Sequence, residues 1–405
     1  MILSNAILCD MHTQRRCDIK IEEGIVVAIE DHIEGDDRME CHGAYLMPGL
    51  VDANVCPRDG QINGASLERL AKKALRGGIT TAVLLPETTP SIENEIVLEF
   101  VQKARHNDEG ATLEASVASI CADGGMSNLA ILLKRGAVAP YVRSTAKNNL
   151  FCRIAEYAKM YDVTLFVRAE DESLAVDGVM HEGEMATKLG LVGISPLSET
   201  LHVSRFIELA RFYGIRIVFK CIAQPRSLEL ISAAKQEGIN VEAEVSIHHL
   251  LYADEACEDF NTDAKIDPPL LPHSSMLQLQ EALKNGRIDM LSTLHQPFSA
   301  ANKEVAFADA CYGTEAIGEA ISLYYTYLVK SGWIDMSQLI RMACYNPARS
   351  INKQAGTITV GTSCDMILFD PDISWTVENP HSLFAGEKLE GKVIKAIFSD
   401  AVVAL

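Results

Sequence analysis

A chain of 405 residues with 48% hydrophobic and 22% charged residues has enough apolar material for a large buried core, as one large barrel with additions or as two or three domains. Its formal net charge of −19 argues against nucleic acid or an anionic membrane as a main partner, and no run approaches the ~18 apolar residues of a membrane span. Eleven cysteines lie scattered without a C-x-x-C pair, and the basic residues of MILSNAILCDMHTQRR follow the apolar stretch instead of preceding it. That order is wrong for a secretory signal, so the expectation is a cytoplasmic protein with reduced thiols.

Taken in chain order, residues 1–48 read as short strands and turns, and residues 352–405 repeat that texture in TITVGTSCDMILFDPDISWTVE and KVIKAIFSDAVVAL. Between them, apolar strand-like runs occupy 49–54, 78–86, 113–119, 136–142, 163–168, 215–221, 240–246 and 287–293. The intervening segments, such as LERLAKKALRGG and SLELISAAKQEG, space their apolar residues near 3.6 and end at Gly. Eight strands alternating with helices predict an α/β fold, a (β/α)8 barrel over 49–351. The alternative, an open doubly wound sheet, calls for a Gly-rich phosphate loop after its first strand, and none follows here. The terminal segments, 1–48 and 352–405, are expected to pair with each other as a small β-sandwich beside the barrel.

A barrel of this kind carries its active site at the C-terminal ends of its strands. Read there, MPGLVDANVCPRD, LLPETTP, FVRAEDESLA, VEAEVSIHHLL, AKIDPPL, YNPAR and GTITVGTSCDMILFDP together resemble the dihydroorotase branch of the cyclic amidohydrolases. The resemblance spans nearly the whole chain. It implies a site with one or two zinc ions that opens or closes the ring amide of dihydroorotate.

Position by position, the resemblance also implies that this site is altered. The family's first-strand motif, Asp-x-His-x-His-x-Arg, keeps Asp52 and Arg58 but has Asn54 and Cys56 in place of its histidines. The ligand position of the fourth strand falls on Val142, that of the fifth on Arg168, and that of the sixth on Cys221. In the eighth strand Leu294 replaces the catalytic acid, followed by a retained His295. Of the family's substrate-carboxylate clamp, Arg58 remains, while the Asn of Pro-Asn-Thr is Glu87 and a further Arg is Leu271.

Arg168 and the neighbouring Lys220 bring fixed positive charge towards the place of the ion, with Asp52 or Glu170 as expected partners of Arg168. Arg58 and Glu87 are expected to lie within ion-pair reach. A cation of this kind cannot make hydroxide: lowering the pKa of water from about 16 to about 7 is worth roughly 12 kcal/mol, which the metal supplies. No zinc is therefore expected. A new metal site built on Asn54, Cys56 and Cys221 competes with cysteine as an ordinary core residue, the commoner case. His248 and His249, as adjacent strand residues, are expected on opposite faces.

Three functions remain open on the sequence. The first is an inactive dihydroorotase homologue serving as an oligomeric structural or regulatory subunit. Inactive dihydroorotase-like chains assemble with aspartate carbamoyltransferase, and the resemblance implies that partner. The second is an active cyclic amidohydrolase with an atypical site. The third is a scaffold or ligand sensor like the inactive dihydropyrimidinase-like proteins.

Overall fold

The computed structural model describes every residue except 106–108, 144–145 and 399–400, so Ser399 and Asp400 of the last expected strand segment lie outside the described residues. Its centre is a sheet of eight parallel strands in unbroken chain order: Leu50–Val55, Ile79–Leu84, Thr112–Ala118, Ala139–Val142, Leu165–Arg168, Ile217–Lys220, Val241–Ser246 and Met290–Ser292. Each falls within or beside the run expected from the sequence. The ring closes where Val55 bridges His295 and the Cys56 amide donates to the His295 carbonyl at 2.8 Å. This is the (β/α)8 barrel.

Local chemistry sets the helices between the strands. The helix Gly64–Arg76 starts at a reciprocal capping box between Asn63 and Ser66 and buries Leu67, Leu70, Ala71, Ala74 and Leu75 on one face. It stops at Gly77, where a Cβ would collide with the Ile317 carbonyl, so only glycine permits that approach. Pro225 opens the helix Pro225–Gln236 at its first turn, where a missing N–H costs nothing.

The chain termini meet in a second, eight-stranded sheet. Ile2–Cys9, Gln14–Glu22, Ile25–Glu30, Arg38–Glu40 and Tyr45–Pro48 join Asp365–Thr376, Lys388–Phe398 and Ala401–Ala404. The seam is the antiparallel pairing of Tyr45–Pro48 with Asp365–Thr376, in which Met47 lies opposite Ile367. Successive strand residues point to opposite faces. Accordingly Leu46, Met366 and Leu368 enter a core enclosed by this sheet, while Met47, Ile367 and Phe369 enter the core shared with the barrel helices. Among the described residues no disulfide joins the cysteines, and no helix is long and apolar enough to cross a membrane.

Candidate functional site: a charged cluster at the barrel mouth

The fifth and sixth strands end at the cations Arg168 and Lys220, and Arg143 directly follows the fourth. Arg168 and Lys220 sit directly opposite each other in the parallel register, so two like charges share one face. Such a pair is tolerated only if each cation has its own counter-ion. Arg168 donates to Asp267 at 2.5 Å, and Lys220, fully buried over the Phe166 ring, pairs with Glu244.

Arg143 joins three carboxylates. It donates to Glu87 at 2.9 Å, to Glu170 at 2.6 Å and to Asp267 at 2.8 Å, and the Tyr141 hydroxyl also donates to Glu87 at 3.0 Å. Asp267 therefore bridges two guanidiniums. Burial pushes its carboxyl up, but Arg168 and Arg143 outweigh that and hold it down at about 2. It is an anion at any ordinary pH. A small recess adjoins this cluster, lined by Arg168, Glu170, His181, Ser195, Gln224 and Asp267 among others.

Deeper in the barrel, the Asn54 amide donates to the other oxygen of Glu244 at 2.7 Å, which ties the first strand to the Lys220 pair. Asp52 accepts from the Thr293 backbone N–H at 2.9 Å, the Thr293 hydroxyl at 2.5 Å and the Asn54 backbone N–H at 2.9 Å. Burial nevertheless raises its carboxyl to about 6, against the Thr293 bonds. It stabilises the first-to-eighth-strand seam.

Several expected pairings are thereby corrected. Glu87 is bound by Arg143 and Tyr141 and not by Arg58, which is exposed and forms no ion pair among the described residues. The cause is local. The single turn Arg58–Gly60 places Asp59 in the left-handed region (φ 54°), and the Asp59 carboxylate accepts from the Ser299 amide and the Asn302 side chain. This pins the turn to the eighth-strand loop with Arg58 facing solvent. Arg168 chooses Asp267 over Asp52, whose lone pairs are already engaged, and over Glu170, which Arg143 takes. Lys220 is spent on Glu244 inside the barrel and leaves no free charge at the mouth.

The remaining expected residues are structural in their surroundings. Val142 packs into the barrel core at the end of the fourth strand, one residue before Arg143. Cys56 lies near the Glu87 carbonyl and Cys221 near His249 Nδ1, and burial pushes both thiols well up. Leu294 packs in the cluster that holds Cys221 and Ile266. His295 is buried with Nδ1 unpartnered, and burial drives its imidazole to the neutral form. His248 and His249 do not end a strand; they lie in the short helix Ile247–Leu251, and both are buried. His249 Nδ1 meets the Ser246 hydroxyl at 2.7 Å and its Nε2 the Pro268 carbonyl at 3.1 Å, while His248 Nε2 meets the Thr314 hydroxyl at 3.3 Å.

The donor set does not fit a divalent ion. The residues that the resemblance places at the ligand positions are an amide, two thiols held protonated, one aliphatic side chain and a guanidinium, with the aliphatic Leu294 at the acid's place. Among the described residues no group of three or more His, Cys, Asp or Glu is arranged to hold a metal.

Sequence reading missed Arg143 and Asp267, the two residues that organise the cluster. A signal was present: PYVR, LFVR and VFK give three consecutive strands a cation at or directly after the end, and KIDPPL carries Asp267.

The profile of the amidohydrolase family matches residues 45–403. A dihydroorotase of Caldanaerobacter subterraneus subsp. tengcongensis is 32% identical, over 97% of this chain and 94% of that protein. One from Elusimicrobium minutum is 33% identical, over 93% and 90%. Among solved structures, the L-hydantoinase (dihydropyrimidinase) from Arthrobacter aurescens superposes with a TM-score of 0.85 at 22% identity, covering 100% of this chain and 95% of that one. At that identity the likeness is one of fold.

Proposed function

The chain belongs to the amidohydrolase family, and on that premise we propose that it is a dihydroorotase-like protein of pyrimidine biosynthesis that does not hydrolyse the ring amide. In this reading it serves as a structural or regulatory subunit of aspartate carbamoyltransferase in the cytoplasm. The observation that carries the first half is the cluster of Glu87, Arg143, Glu170, Asp267 and Arg168, whose charges satisfy one another at the place where a hydrolase of this family works. Ring-amide hydrolysis needs an activated water and a base beside it. Here the ligand positions hold Asn54, Cys56, Val142, Arg168 and Cys221, and Leu294 stands for the acid. Asp52 is the retained acid, and its oxygens are occupied by Thr293 and Asn54.

The second half rests on what is kept. Framework motifs and the closed barrel persist without the catalytic groups, which fits a protein valued for its surface. The test combines three measurements on one preparation purified with added zinc: bound metal, dihydroorotate ring opening, and co-elution with aspartate carbamoyltransferase. The expected result is no stoichiometric zinc, no turnover, and a joint peak of higher mass, as an interface burying more than about 1,000 Å² gives. Stoichiometric metal with turnover would establish an atypical active cyclic amidohydrolase instead. Separate peaks, with transcarbamoylase activity indifferent to this protein, would move the assignment to a scaffold or ligand sensor.

A further inference from the structure

Two buried lysines face each other across the loops that follow the seventh and eighth barrel strands. Lys303 ends the short helix Ala300–Lys303 and is almost wholly buried, yet forms no ion pair among the described residues. Its ammonium instead donates to main-chain carbonyls: Thr262 at 2.6 Å, Gly313 at 2.8 Å, Cys311 at 3.1 Å and Lys265 at 3.4 Å. Lys265, equally buried, reaches the other way, to the carbonyls of Phe307 at 2.7 Å and Ala308 at 2.8 Å, with its ammonium 4.5 Å above the Tyr312 ring. Lys265 thus reaches only the other loop, while Lys303 ties Thr262 and Lys265 of the other loop to Cys311 and Gly313 of its own. The loop from the seventh strand carries Asp267, two residues beyond Lys265.

We infer that Lys303 and Lys265 form a reciprocal clasp in which their ammonium groups act as built-in structural cations, locking the two loops together and holding Asp267 between Arg143 and Arg168. A buried charge without a carboxylate is costly unless oriented dipoles surround it. A cage of main-chain carbonyls supplies those dipoles, as it does for a bound monovalent cation. The Lys303 amine is lowered by burial to about 8, so near neutral pH it enters the cage charged.

Hydrogen exchange read by mass spectrometry over 261–267 and 299–313 tests the clasp. In Lys303→Ala both segments should exchange about ten- to a hundredfold faster, the range for losing one charge-assisted hydrogen bond. Propylammonium, which can refill the stem and the cage, should restore protection, whereas sodium chloride at equal ionic strength should not. Lys303→Met, whose side chain fills the space without charge, should exchange fast and resist rescue. Unchanged exchange in Lys303→Ala, loosening confined to 299–313, or equal rescue by sodium would overturn the inference. Should Lys303→Ala fail to fold, Lys265→Met decides: both segments must loosen there too, and unaltered exchange refutes the clasp.

Discussion

At Asp267 one carboxylate serves two guanidiniums, and removing its charge takes from Arg168 its ion-pair partner and from Arg143 one of three. Breaking a buried pair from one side costs about 3–5 kcal/mol, but Arg143 is about a third exposed, so water recovers part of the loss. Asp267→Asn should therefore destabilise by about 3 kcal/mol in urea denaturation. Glu87→Gln should cost only about 1 kcal/mol, because Arg143 keeps Glu170 and Asp267. Equal costs would mean that the bridge carries no special share of the cluster's stability. The residue types of this cluster were legible in the sequence, whereas the pairings were not. Arg58 and Glu87 follow adjacent strands, and proximity alone makes them look like partners. What separates them is the turn at Asp59 and the reach of a long side chain from the fourth strand, and neither has a local signature.

The elements themselves were far more legible, because a barrel strand reads as a short apolar run while the helix beside it spaces its apolar residues near 3.6. All eight barrel strands were found that way. The His248–His249 doublet failed for a related reason: the strand Val241–Ser246 passes into the helix Ile247–Leu251 without a break, with Ser246 capping the His249 amide. The alternation of apolar Val241, Ala243, Val245 and Ile247 continues through the junction and conceals the switch.

The helix Leu197–Tyr213 offers a test at this scale. It buries His202 against Phe151 and Phe206, with ring centroids 5.9 and 4.9 Å away. Burial lowers that imidazole from 6.5 to about 4, Arg205 adds to the shift, and Asp171 opposes it. The unfolded chain then binds a proton that the folded chain refuses, so this residue's contribution to stability falls as pH drops from about 6.5 towards 4. Other buried groups titrate as well, Asp52 in the opposite sense, so the clean observable is a difference between proteins. His202→Leu should gain up to about 3 kcal/mol relative to the parent between pH 7 and pH 4. A pH-independent difference would show that His202 accepts its proton without opening the helix.

Across the whole molecule, the strand Asp365–Thr376 joins two cores by alternation. Leu368 belongs to the core enclosed by the terminal sheet, and Phe369 to the core shared with the barrel. Phe369 is fully buried, lies edge-on to Tyr325 at 5.2 Å, and packs so closely on Gly391 that a Cβ there would strike its ring. The terminal sheet and the barrel should therefore unfold as one unit, and Phe369→Ala should destabilise both by about 3–5 kcal/mol. The chain's two tryptophans view the shared core from its two sides. Both pack against it, Trp333 from the turn before the helix Met336–Ile340 and Trp375 from the terminal sheet, where its Nε1 donates to the Gly391 carbonyl at 3.1 Å. Denaturation followed in Trp333→Phe and Trp375→Phe should give coincident midpoints after each variant's own small shift is allowed for. Adding Phe369→Ala should move both midpoints together. If the Trp375 signal is lost at lower denaturant than the Trp333 signal, the sheet unfolds on its own and the shared face around Phe369 does not couple the two cores.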